Sequence, residues 1–439
     1  MSPFKSALNR FGKDGLAKDS LWMFLGYGMR IVVQAAYFIL IARALGPDQY
    51  GAFVGVTALI ALVAPFGGLG AGHLLVKNVS RDRSLFSDYW GNALFLAVTT
   101  GLVLVGFVLA VSRLLLPVEI PMMLIVLVSV ADILAVRGAE MAAQAFQATN
   151  QLRHTATLTL LPMILRLVGA LVVFAIWHRG SAMLWGWFYC GASIVSCVVA
   201  IVLVKMKIGA PRLALKRIPA EIEEGFYFGT SLSAQTVYND IDKTMLARLS
   251  TLDATGIYAA AYRLIDVSFT PVRSVLYAAY ANFFRHGKEG IAVSYKYAKK
   301  IVPKMLGYST IIFIGLFVCA PIVPVILGKE YARSVEALRW LALLPFFKSI
   351  HYFLADSLTG AGYQRMRTAA QIAIAIFNVL INLWIIPAYS WRGAAWSSLA
   401  SDGALALTMY GCVLWVMKKE ARTGVNFAGQ PIATSGPIA

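Results

Sequence analysis

The chain alternates long apolar runs with short polar breaks. A membrane-spanning helix needs about 20 mostly apolar residues. Runs of that length predict twelve spans, at residues 21–43, 50–72, 90–112, 120–147, 155–177, 182–204, 225–249, 256–284, 301–320, 334–357, 368–388 and 393–417. The longest polar breaks are KMKIGAPRLALKRIPAEIEE at 205–224 and RHGKEGIAVSYKYAKK at 285–300. The first follows span six. The expected organisation is therefore a basic segment at 1–20, an N-lobe at 21–204, a linker at 205–224, a C-lobe at 225–417 and a tail at 418–439.

The polar breaks carry unequal charge. The loops on one side, with both termini, hold 23 lysines and arginines, and the opposite loops hold seven. The positive-inside rule makes the first set cytoplasmic, which places both termini in the cytoplasm, as an even number of spans requires. The composition agrees. The chain is 59% hydrophobic, only 14% charged, and has a mean hydropathy of +0.70, where a soluble domain carries about 25% charged residues. The net charge of +18 sits in loops between apolar runs, which argues against a nucleic-acid partner. The cysteines, Cys190, Cys197, Cys319 and Cys412, all lie inside apolar runs without metal spacing.

Two stretches repeat. ARALGPDQYGAF at 42–53 and ARLSTLDATGIY at 247–258 align without a gap. Arg43 matches Arg248, Asp48 matches Asp253 and Gly51 matches Gly256. Each copy sits at the outer end of the first span of its half. Six spans per half give both halves the same orientation, so the duplication is parallel, about an axis along the membrane normal.

Charges inside spans are costly and mark function by default. This chain has many, among them Arg30, Asp132, Arg166, Asp242, Lys243, Arg263, Asp266, Arg273, Lys348, Asp356 and Asp402. In span eight, at about 100° per residue, Tyr262, Arg263, Asp266, Thr270, Arg273, Tyr277 and Tyr280 share one arc. Pro271 is expected to kink that helix. Arg263 and Asp266 are placed to pair, whereas Arg273 has no evident acidic neighbour on its helix and suits an anion such as phosphate. In span seven, Ser231, Gln235, Tyr238 and Asp242 form one polar face, with Asn239 beside them. The repeat offset carries these positions onto Gly26, Arg30, Val33 and Tyr37 of span one, with Gln34 for Asn239. Two such faces meeting across the pseudo-twofold axis are expected to form a polar cavity.

Other polar residues read as structural. Lys348, Arg339, Asp132 and Asp402 are expected to pair among themselves or reach an interface, and Asn378 and Asn382 to join helices. His351 stands alone, since its five-residue offset from Asp356 makes no metal pair. Without a Gly-rich phosphate loop, a nucleotide domain or a metal cluster, energy is expected from an H+ or Na+ gradient, the membrane potential or downhill flux, with no cofactor. Asp242 and Asp266 are the ion-coupling candidates.

Three stretches carry a family resemblance: ARALGPDQYGAFVGVTALIALVAPFGGLGAG, DKTMLARLSTLDATGIYAAAYRLID and NVLINLWIIPAYSWRGAAWSSLASD. They resemble bacterial Wzx-type oligosaccharide flippases of the multidrug/oligosaccharidyl-lipid/polysaccharide (MOP) superfamily. The resemblance covers about residues 20–417. It implies an all-α polytopic fold of two pseudo-symmetric six-helix lobes, a cationic cavity and alternating access. It implies movement of undecaprenyl-diphosphate-linked oligosaccharide from the cytoplasmic to the periplasmic leaflet of the bacterial inner membrane, for O-antigen, exopolysaccharide or capsule assembly. Arg30, Arg263 and Arg273 match cavity-lining positions. The expected substrate-binding set is Arg30, Gln34, Tyr37, Gln235, Asn239, Arg263, Arg273 and Tyr277. The expected protein is a monomeric transporter rather than an enzyme, with membrane lipid and a polysaccharide polymerase and chain-length proteins as partners. The alternative is a cation-coupled small-molecule antiporter of the same fold, which needs acidic residues to dominate the cavity. A membrane enzyme is disfavoured by the short outer loops.

Overall fold

The computed structural model describes residues 15–177, 180–214, 216, 218–219, 222, 239–425 and 427, with side chains from Val32 onward except that of Ala281. No β-strand lies among the described residues. The chain divides into two compact units, Met1–Thr236 and Val237–Ala439.

In the first unit, Gly15–Val63 is one helical stretch broken at Gly46, giving α1 (15–45) and α2 (47–63). It continues with α3 (Ala71–Val79), α4 (Phe86–Leu115) and α5 (Met122–Ser129). A π-helical segment, Val130–Val136, joins α5 to α6 (Arg137–Ala148), followed by α7 (Leu152–Trp177) and α8 (Ala182–Lys207). In the second unit, α9 covers 239–249. It is followed by α10 (Leu252–Ser268), α11 (Thr270–Gly287), α12 (Ile291–Cys319), α13 (Val323–Leu327), α14 (Ser334–Leu341) and α15 (Leu344–Gly360). The stretch Gln364–Thr423 is broken at Ser390 into α16 (364–389) and α17 (391–423).

Among the described residues, seven helical stretches are long and apolar enough to cross a membrane. Two of them contain the breaks at Gly46 and Ser390, so the seven cover nine of the twelve expected spans. The other three differ for local reasons. Span seven is described only from residue 239. Span eight is split at Phe269 into α10 and α11, with Pro271 in the first turn of α11. A proline there has no N–H to donate and cannot continue the hydrogen-bond ladder. Span ten is split into α14 and α15, with Pro345 in the first turn of α15. The expected end of span two also moves, because α2 passes through a 3-10 turn at Ala64–Phe66 into Gly68, Leu69 and Gly70, all with positive φ.

The sequence repeat is a repeat of local structure. Gly46 has φ 69° and ψ 171°, a conformation that glycine alone adopts without strain. Pro47 then opens α2, where a missing N–H costs nothing. At the aligned position Thr251 is extended, and its hydroxyl accepts from the Ala254 N–H at 3.1 Å. Asp48 and Asp253 both follow in the first helical turn, which favours a negative charge. Each turn is also fastened to the hairpin of the last two long helices of its unit. Gly180 N–H donates to the Ala44 carbonyl at 2.9 Å and Ala182 N–H to Gln49 Oε1 at 2.9 Å. In the second unit, the Ser250 and Ser390 hydroxyls lie 2.6 Å apart.

Packing is tight inside each unit and apolar outside. The first unit buries Trp90, Leu96, Phe146 and the alanine-rich face of α6 together. Val98, Leu102, Val103 and Phe107 of α4 are exposed, as are Ile311, Ile314 and Val318 of α12 and Ile376, Leu380 and Trp384 of α16. Such helix faces satisfy their backbone internally and show only hydrocarbon outward, as lipid demands.

Gly46→Ala is expected to cost about 1–3 kcal/mol, because the side chain enters a glycine-only conformation. Thr251→Ala loses only a cap, about 1 kcal/mol. Thermal unfolding of the purified variants in detergent checks the order; an unchanged midpoint for Gly46→Ala rejects the strained-turn assignment.

Candidate functional site

The densest set of charges lies in the second unit, on α9, α10, α11 and α15. Tyr262 of α10 is its centre. Lys243 of α9 places Nζ 4.1 Å from the Tyr262 ring centroid, and Lys348 of α15 places Nζ at 4.8 Å. Lys348 also donates to the Tyr262 hydroxyl at 2.7 Å. The two lysines are only 7% and 2% exposed. An ammonium so far from water needs both hydrogen bonds and countercharge. Lys243 obtains them from Asp240 Oδ1 at 2.5 Å and the Asn239 carbonyl at 3.2 Å.

Asp242 forms the buried end of the set. One carboxylate oxygen accepts from the Lys243 N–H at 2.7 Å. The other accepts from the Tyr258 hydroxyl and, at 3.2 Å, from Ser398 of α17. Asp266, at the end of α10, lies within electrostatic reach of Lys348, Arg273, Lys243 and Arg263. Its hydrogen-bonded partner is Arg273, at 2.8 Å. This corrects the expectation that Arg273 lacks an acidic neighbour on its helix and that Asp266 is taken by Arg263. Residues 266 and 273 are seven apart, so two helical turns return them to one face, and the pair spans the break at Phe269. The Arg273 side chain stays 43% exposed.

The remaining expected residues are placed as follows. Asn239 lies on α9, and Arg263 is half-buried on α10. Tyr277 on α11 is 83% exposed. Gln34 and Tyr37 are half-buried on α1 of the first unit, where Tyr37 packs against Trp185 with ring centroids 5.5 Å apart. The Arg30 side chain and Gln235 lie outside the described residues. Thus Asn239, Asp242, Asp266 and Arg273 join one cluster, with Arg263 within electrostatic reach of Asp266.

Lys348, Tyr258, Tyr262 and Ser398 belong to the cluster, and sequence reasoning did not assign them to the site. Tyr262 gives a signal as a member of the polar arc on span eight, and Lys348 as a charge inside a span that reads as structural. The first unit has a smaller buried set on the π-helical segment, α7 and α8. Arg166 donates to Ser193 Oγ at 2.9 Å, lies 3.5 Å from Asp132 Oδ1 and stacks its guanidinium 3.8 Å from the Tyr189 ring centroid. Tyr189 donates to Asp132 at 2.7 Å. Among the described residues no group of three or more potential metal ligands occurs.

A polysaccharide biosynthesis protein family model matches residues 16–279. The chain belongs to that family. Solved structures with the same fold include an inward closed lipid II flippase MurJ, with a TM-score of 0.70 and 12% identity over 90% of this chain and 87% of that one. An outward-facing multidrug resistance MATE family transporter of the MOP superfamily gives a TM-score of 0.62 and 14% identity, over 92% of this chain and 94% of that one. A MOP superfamily transporter from Pyrococcus furiosus gives 0.62 and 13% over the same shares. Among curated protein sequences, none matches. This polysaccharide biosynthesis protein therefore has the all-α polytopic fold of the MOP superfamily, and the Tyr262 cluster belongs to its second unit.

Tyr262→Phe removes the hydroxyl to which Lys348 donates and is expected to cost about 1–3 kcal/mol. Adding Lys348→Met to it should recover part of that loss. Denaturation of the single and double variants checks the coupling; strictly additive effects would separate the two residues.

Proposed function

We propose that this protein is a flippase for undecaprenyl-diphosphate-linked oligosaccharide, moving it from the cytoplasmic to the periplasmic leaflet of the inner membrane for surface polysaccharide assembly. The family match supports the pathway. The observation that carries the reading is the Tyr262 cluster with Arg273 at its edge. Lys243, Arg263, Arg273 and Lys348 face Asp240, Asp242 and Asp266, so cations exceed carboxylates. Arg273 is the member still open to a ligand, and its fork suits a diphosphate. The tyrosines supply flat faces and hydroxyls suited to sugars. The prenyl tail stays in lipid, and alternating exposure to the two membrane faces moves the headgroup.

Asp242 and Asp266 serve this reading as the coupling carboxylates, for a proton or a sodium ion. Both termini are cytoplasmic, the protein works as a monomer, and a polymerase and chain-length proteins take the delivered unit. The antiporter alternative draws on the buried acid Asp242, but the cation excess weighs against it.

Deletion of the gene is expected to accumulate complete lipid-linked repeat units on the cytoplasmic side, with surface polysaccharide lost. Mass spectrometry of extracted lipids identifies the glycan. Complementation with Arg273→Ala is expected to restore less than about one-tenth of export, and Arg273→Lys an intermediate amount, because lysine keeps the charge without the fork. Complete units reaching the periplasm in the deletion strain would move the protein to a later step. Altered drug sensitivity with normal glycan would favour the antiporter.

A further inference from the structure

His351 and Asp402 are 51 residues apart in sequence, on α15 and α17 of the second unit. They are 1% and 3% exposed. His351 Nε2 lies 2.9 Å from Asp402 Oδ1. Neither residue belongs to the Tyr262 cluster, and the proposed headgroup binding uses neither. A stabilising role alone would be served as well by apolar residues of similar size, since buried ion pairs are weak sources of stability.

The pair has one low-cost charge state. With one proton shared between imidazole and carboxylate it is neutral overall, whichever atom holds the proton. A proton added or removed leaves a unit charge in an apolar interior, which is costly. Removal becomes accessible only if a cation replaces the proton.

The neighbouring groups identify that cation. On α15, Tyr352 packs with its ring centroid 4.5 Å from the imidazole, and Lys348 lies one turn earlier on the same face. From α16, Arg367 acts on His351 electrostatically, but it is held by Asp356 at 3.2 Å and by Thr359 at 2.8 Å. From α11, Arg273 acts on Tyr352 and is held by Asp266. From α12 comes the Ser309 hydroxyl, paired with Ser349 at 2.9 Å. From α17 comes Asp402 itself. Lys348 is the cation hydrogen-bonded to a neutral phenol, Tyr262. Asp266 acts on it electrostatically, but no carboxylate hydrogen-bonds it among the described residues, whereas Arg273 and Arg367 are each hydrogen-bonded to one.

We propose that His351 and Asp402 form a proton-binding site holding one exchangeable proton, and that release of this proton draws Lys348 from Tyr262 towards the Asp402 carboxylate. The step balances: one N–H or O–H bond gives its proton to water, and the negative charge left behind is met by the lysine ammonium. Its mechanical output falls on α10 and α17. Lys348 releases Tyr262, and Asp402 lies one turn from Ser398, which bonds Asp242 and Tyr258. The site thus links proton occupancy to the packing of the cluster, whatever the transported molecule is.

The test uses the purified full chain in lipid nanodiscs, without substrate. Infrared difference spectra across a pH titration follow the carboxyl and imidazole bands. Hydrogen exchange of peptides from α15 and α17 follows packing. The expected result is a single-proton transition, in which the ratio of the two packed forms changes about tenfold per pH unit. The transition should be the same in sodium and in choline buffers.

His351→Gln, which keeps a nitrogen donor towards Asp402, and Asp402→Asn should each abolish it in both readouts. Lys348→Met should push the infrared transition to higher pH, because no cation replaces the proton, and should lose the packing change. A transition that persists in both His351→Gln and Asp402→Asn, that is missing from the wild type, or that follows sodium overturns the proposal. Should Asp402→Asn fail to purify as a single species, His351→Gln decides alone. A chain that passes this test yet exports no lipid-linked sugar would reject the flippase reading and leave the proton site standing.

Discussion

Lipid offers no hydrogen bonds, and that constraint orders the whole chain. Every backbone group at membrane depth must find a partner inside the protein, so the chain is helical almost throughout its described length and apolar on the faces it turns outward. The same constraint makes each interior charge expensive. The charges in the second unit therefore sit in mutual contact: Lys243 with Asp240, Arg273 with Asp266, Lys348 with Tyr262, and His351 with Asp402. In the first unit Arg166, Asp132 and Tyr189 obey the same rule.

The helix breaks follow from local chemistry and decide where those charges meet. Pro271 follows the break at Phe269, and the Arg273–Asp266 pair ties the two pieces together. Ser390 breaks the longest helical stretch at φ 54° and is fastened to Ser250 across the unit. The π-helical turn at Val130–Val136 carries Asp132 against Arg166 and Tyr189. In each case an irregular backbone stands beside polar side chains that bond one another. Regular helix is cheapest in lipid, so departures from it persist where surrounding side chains hold them.

Much of the fold was legible because its causes are local. Apolar run length set the helices, Pro271 set a kink, and the Gly46-Pro47 and Thr251 turns recur at one offset because each needs only its own few residues. The site was legible in part. The arc on span eight and the polar face on span seven pointed to Asp266, Arg273, Asp242 and Asn239, which the structure brings together. Helical spacing could not say which residue Asp266 would choose. Arg263, three residues away, was the nearer candidate by sequence, and Arg273, across a break, is the one that bonds it.

The sequence by itself determined most of the long apolar helices, the repeated turn and the polar arc of span eight, because periodicity and turn chemistry act over a few residues. Only the tertiary structure decided which polar faces meet. Lys348 reaches Tyr262 across 86 residues and His351 reaches Asp402 across 51. Spacing along the chain reads Lys348 and Asp402 as structural charges that pair or reach an interface, and His351 as a lone histidine. A buried charge settles with whichever opposite or polar group the packing brings within about 3 Å, and helix packing, rather than spacing along the chain, fixes that choice.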